Sequence, residues 1–127
     1  MELFIEKGSK VEDVNKIFTN CYPFLKIELY QRPFADGHAA AKKEPLALSA
    51  SLNKFIHRNG KASIDINGDI TVAELENQLQ NIGLTAEVFR KSGNVWIETS
   101  LTNNWTLQQQ NAEGEEISSH FAQKKIN

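Results

Sequence analysis

The chain is poor in the residues that would crosslink it, hold a metal or anchor it in a bilayer. Among its 127 residues are one cysteine, Cys21, three prolines and three histidines. A lone cysteine excludes an intramolecular disulfide. His38, His57 and His120 have no ligand-type neighbour at metal spacing, so no metal centre is expected. Formal net charge is only −2, and the basic runs "AKKEP" and "QKKIN" are short. Phosphate recognition needs clustered positive charge, so nucleic acid is not an expected partner. No apolar run approaches the ~18 residues of a membrane span. The start, "MELFIEKGSK", has no charged segment followed by an apolar one, and the expected location is cytoplasmic. Single glycines in "SGN" and "NGKAS" make turns rather than a phosphate loop. Asp65, Asn67 and Asp69 in "DINGD" form an incomplete calcium series with no closing glutamate. No cofactor is therefore expected.

What is present is a repeated rhythm within one domain, residues 1–127. In "TVAELENQLQNIGLTAEVFRKSGNVWIET" (71–99), Val72, Leu75, Leu79 and Ile82 fall at i, i+3, i+7 and i+10, one stripe of a helix. Thr71 and Glu74 form a capping box at its start. Gly83 is a natural stop. Leu84, Ala86 and Val88 then alternate as a half-buried strand. In "GSKVEDVNKIFTNCYPFLKIELYQR", Val11, Val14, Phe18 and Cys21 repeat the spacing 61 residues earlier, Pro23 ends the helix, and Leu25, Ile27 and Leu29 alternate. A box at Ser9 and Glu12 is one position out of alignment. Leu3 and Ile5 match Ile64 and Ile66 as a strand before each helix. Cys21, at the end of a stripe, reads as packing.

Two such units predict an α+β fold: a ferredoxin-like sandwich with both helices on one sheet face, an added C-terminal hairpin strand and a short terminal helix. With Ser92-Gly93 as the turn, Val88 faces Ile97, Phe89 faces Trp96 and Glu87 faces Glu98. Residues 33–45 read as an exposed loop. Leu46 to Phe55 read as a short helix or an extended connection. A helix starting at the Thr106/Gln109 box is expected to end at Gly114, leaving 115–127 as a weakly structured tail.

The stretches "PFLKIE", "TVAELE" and "VFRKSGNVW" resemble those of a family of short bacterial proteins of unknown function. The resemblance covers most of the chain outside the loop, and it implies no activity and no catalytic residues.

Function therefore turns on surfaces. Tyr30, Phe89 and Trp96 lie out of phase with the core, as does Phe4; this aromatic face is either covered by the segments around Leu46–Phe55 or Trp105–Phe121, or left exposed as an interface. The expectation is a non-catalytic protein-interaction module that binds a protein partner or a second copy of itself. The alternative is a small-molecule binder or enzyme with a pocket between sheet and loop, lined by Tyr30, Trp96, Glu87 and Glu98.

Overall fold

A computed structural model describes residues 1–31, 44–56 and 60–126, with side chains to Phe121. Most of the expected loop (33–43), with His38, and also His57 lie outside the described residues. Glu44 and Pro45 are exposed and belong to no helix or strand.

The elements follow the order β1 (Glu2–Glu6), α1 (Val11–Cys21), β2 (Leu25–Gln31), a 3-10 turn (Asn53–Phe55), β3 (Lys61–Asp65), α2 (Val72–Gln80), β4 (Leu84–Ser92), β5 (Val95–Glu98), a second 3-10 turn (Ser100–Thr102) and α3 (Leu107–Ile126). The fold is α+β, built from two β-α-β units and consistent with a ferredoxin-like arrangement. The strands divide between two antiparallel sheets, β1-β3 and β2-β4-β5, where a single sheet was expected. The alternation within the strands accounts for antiparallel pairing: Leu3, Ile5, Leu25, Ile27, Leu29, Leu84, Ala86 and Val88 are buried and their neighbours are less so. Strands with one covered face suit antiparallel ladders.

Corresponding positions of the two units meet. Leu3 lies opposite Ile64 in β1-β3, and Glu28 lies opposite Glu87 in β2-β4. The helix starts correspond too. Thr71 caps α2 through Glu74, and at the matching place in α1 the Asp13 carboxylate accepts the Lys10 amide at 2.9 Å. The cap thus lies one residue after the Ser9/Glu12 box expected from sequence, because Ser9 Oγ is committed to the Glu6 amide. A returning strap then takes up first-turn amides that a helix leaves unpaired. Val11 and Glu12 donate to Ala50 and Leu48 at 3.1 and 2.9 Å, and Val72 and Ala73 donate to Trp105 and Asn103 at 3.1 and 2.9 Å. Leu52 in the first strap and Leu107, at the start of α3 just after the second, are fully buried anchors. The segment from Leu46 to Phe55 is thus an extended strap with one 3-10 turn.

The core joins both sheets and all three helices: Val14 and Phe18 from α1, Leu75 and Leu79 from α2, and Leu107 from α3. Cys21 packs against it, half-buried. α1 stops where Pro23 follows, and α2 stops where Gly83 adopts φ 90°.

α3 departs most from expectation. It runs 20 residues, straight through Gly114, so residues 115–126 are helical. Gly114 marks a close approach: a Cβ there would lie 3.0 Å from Phe24 Cβ and 3.1 Å from the Phe24 carbonyl oxygen.

Candidate functional site

Burial of Leu25, Ile27 and Leu29 turns Lys26, Glu28 and Tyr30 to the other side of the β2 sheet. The pairing adds Phe89 opposite Lys26, Glu87 opposite Glu28, and Thr85 opposite Tyr30. β5 contributes Glu98 opposite Phe89 and Trp96 opposite Lys91. These side chains form the outer face, opposite the buried residues of β2 and β4.

The hairpin turn is Gly93-Asn94, one residue later than expected, with Gly93 at φ 69°. Gly93 also carries the Phe121 ring of α3, whose Cγ would stand 2.8 Å from an added Cβ. Both demands favour glycine at the first turn position. The register is therefore shifted by two residues. Phe89 and Trp96 share a face as diagonal neighbours, not as a directly opposed pair. Glu87 likewise opposes Glu28 and not Glu98.

Two features organise this face. The first is a carboxylate pair with a phenol between them. Tyr30 Oη stands 2.9 Å from Glu28 Oε2 and 3.3 Å from Glu87 Oε2, and its single proton serves one of them at a time. Burial holds the Tyr30 hydroxyl well above the ordinary phenol range, and the hydrogen bond to Glu28 and the charge of Glu87 add to the effect. Such a phenol stays protonated at neutral pH and works as a clamp. Tyr30 was expected among the exposed aromatics, but it is only 6% exposed, so it organises the face from below. The second feature is aromatic. Lys26 Nζ lies 5.1 Å from the Phe89 ring centre and 5.4 Å from that of Trp96, with Lys91 Nζ at 5.9 Å on the same indole. Lys26 also pairs with Glu28 at 3.4 Å. The lysines stack on the rings and leave Trp96 37% exposed.

Every residue of β5 is exposed, including Val95 at 53% and Ile97 at 37%, and β5 is the outermost strand of its sheet. Phe4 is exposed on the other sheet, with Lys61 Nζ 4.0 Å from its ring centre.

Glu87 and Glu98 do share a cleft, of about 280 Å³, with Glu76, Gln80, Thr85 and Asn103. It lies at β4 beside α2 and the turn after β5, and neither Tyr30 nor Trp96 lines it. Among the described residues no group of three His, Cys, Asp or Glu is placed to hold a metal. Asp65 and Asn67 serve turn chemistry: the Asp65 carboxylate accepts the Asn67 amide at 2.9 Å, and Asn67 Oδ1 accepts the terminal amine at 2.8 Å. No described helix is long and apolar enough to cross a membrane.

Sequence reasoning missed the polar support under β4. Arg90 donates to Gln110 Oε1 at 2.9 Å and stacks 5.5 Å from the Trp105 ring centre. Fully buried Gln110 donates in turn to the Thr102 carbonyl and hydroxyl, each at 2.8 Å. A signal existed: Leu107, Gln110, Gly114 and Ile117 have the i, i+3, i+7, i+10 spacing of the other two helices.

The chain matches no family model, no curated protein and no solved structure.

Proposed function

We propose that this chain is a non-catalytic protein-interaction module, whose binding element is the outer edge of β5, unpaired among the described residues, with the aromatic outer face beside it. The observation that carries the reading is the exposure of Val95, Trp96 and Ile97 on an edge strand. An apolar edge strand presents unpaired main-chain donors and acceptors together with side-chain anchors, which is how an extended segment is added to a sheet. The likeness of the two β-α-β-strap units is part of the proposal: each is a copy of one design, and β5 is what the second has in addition.

A photo-crosslinking amino acid at position 95, introduced in living cells, tests it. The expected result is a polypeptide adduct from position 95 and none from position 16 on exposed α1. Equal yields from the two positions would remove the reading.

The second reading, a small-molecule binder, is supported by Glu87 and Glu98 lining one cleft. It requires that Glu98→Gln alter binding of a cationic compound by the folded chain, with Trp96→Asp having no such effect.

A further inference from the structure

The geometry of β5 points to the identity of its partner. We propose that two copies of this chain pair antiparallel along β5, with Trp96 on the two-fold axis. This rests on the protein-interaction reading above and names its occupant.

In an antiparallel ladder, alternate residues turn both N–H and C=O to the same side. The Thr99 amide donates to the Val88 carbonyl at 3.2 Å, which fixes the phase next to β4. By the register, Ile97 and Val95, opposite Arg90 and Ser92, share that phase and bond inward. Trp96 and Glu98 therefore turn their main-chain groups to the outer edge, and Asn94, a residue of the hairpin turn, comes directly before the strand.

A two-fold seam within one sheet joins residues of like phase and is self-complementary. Centred on Trp96, it sets the indole against its own copy, Val95 against Ile97, and Asn94 against Glu98. Apolar residues meet apolar residues, the carboxylate meets an amide, and no like charges oppose one another. Centred instead on Ile97, the seam would put Trp96 against Glu98. The Trp96-centred seam also extends the apolar contact on both faces. Trp96 brings its stacked lysines to one side, and Val95 and Ile97 lie on the other, where Phe121 of α3 is exposed at the hairpin turn.

A five-residue seam falls among small interfaces, below roughly 1,200 Å², and such contacts are weak. Sedimentation equilibrium of the full chain from about 1 to 200 µM spans the micromolar affinities concerned. The expected result is a reversible dimer. Trp96→Asp is expected to weaken it about 30-fold or more, the loss typical of a central aromatic anchor, with an unchanged circular dichroism spectrum. Glu98→Pro removes an amide turned to the outer edge and spares the β4 ladder, so it weakens the dimer by a second route if Trp96→Asp misfolds. In a Cys21→Ser background, a mixture of Asn94→Cys and Glu98→Cys proteins is expected to form a mixed disulfide, with neither forming one alone. A wild-type monomer throughout the range, or a dimer indifferent to both edge substitutions, overturns the proposal. A dimer without the 94–98 crosslink overturns its register. If the chain is monomeric but position 95 still crosslinks to another protein in cells, the second copy is refuted and the interaction reading stands; loss of both refutes both.

Discussion

Gly114→Ala sets two opposed effects against each other at one atom. In the middle of an exposed helix, replacing glycine by alanine stabilises by about 1 kcal/mol, because the backbone loses less freedom on folding. Here the new methyl would meet Phe24 Cβ at 3.0 Å, Arg90 Cγ at 3.1 Å and the Phe24 carbonyl oxygen at 3.1 Å. The arginine stem can shift, but the Phe24 backbone is held from both sides. Its carbonyl accepts the Lys91 amide at 2.9 Å, and its amide donates to Asn111 Oδ1 at 2.8 Å. The strain therefore falls on α3 itself, which must move away from β2 and β4. Overpacking a filled site costs about 1–3 kcal/mol. Set against the helix gain, the expected net change is a destabilisation of roughly 0–2 kcal/mol. Gly114→Val should be worse, since branching adds bulk at the same contact. Urea unfolding followed by circular dichroism measures both, with Glu115→Ala on the exposed side as the control. If Gly114→Ala is more stable than wild type by about 1 kcal/mol, the ordinary helix value has prevailed. The close approach of α3 to Phe24 would then be wrong.

Leu79→Ala and Phe18→Ala should each cost ~2–5 kcal/mol in denaturant melts by emptying the core, while Gln80→Ala on the exposed side of α2 should be nearly neutral. Thr71→Ala should cost about 1 kcal/mol by removing the hydroxyl that accepts the Glu74 amide, and equal stability would deny the cap. Stability should also fall with alkali. Tyr22, buried with its hydroxyl donated to the Ile66 carbonyl, is pushed up to about 12 by desolvation, with Cys21, Asp65 and Asp69 adding to the shift. A folded value above the unfolded value of about 10 means the folded state keeps a proton that the unfolded state releases, so stability is complete below pH 10 and declines towards 12. Melts of wild type against Tyr22→Phe from pH 8 to 12 should show a shallower alkaline decline in the variant; parallel curves would refute the assignment.

The legible parts of this fold were those where one side chain reports one environment. Val11, Val14 and Phe18, like Val72, Leu75 and Leu79, are apolar at helical spacing because water lies on one side and the core on the other, and all six are buried. The same alternation gave the phase of β2 and β4. It could not give their partners, because period two fixes which face is covered and is silent about which strand lies alongside. The division into two sheets was therefore invisible, and so was the two-residue shift at Gly93-Asn94, where either "SG" or "GN" fits a tight turn. The shift leaves every β5 side chain on its expected face, which is why Phe89 and Trp96 still share one despite the wrong pairing.

α3 shows the opposite failure. Its stripe of Leu107, Gln110, Gly114 and Ile117 has the spacing of the other two helices, yet two of its letters read as breaks in hydrophobicity. Gln110 is buried because Arg90 and Thr102 satisfy its amide, and Gly114 is buried because Phe24 leaves no room for a side chain. Both identities are set by residues distant in sequence, so composition alone marks them as surface or stop. Tyr30 belongs with them. Out of phase with the core, it reads as an exposed aromatic, but two glutamates brought together by strand pairing give its hydroxyl a buried role. Trp96 has no such partner on β4. Its neighbour there is Lys91, whose ammonium stacks on the ring and leaves the indole at the surface. That difference between two out-of-phase aromatics narrows the candidate interface from the whole outer face to its β5 edge.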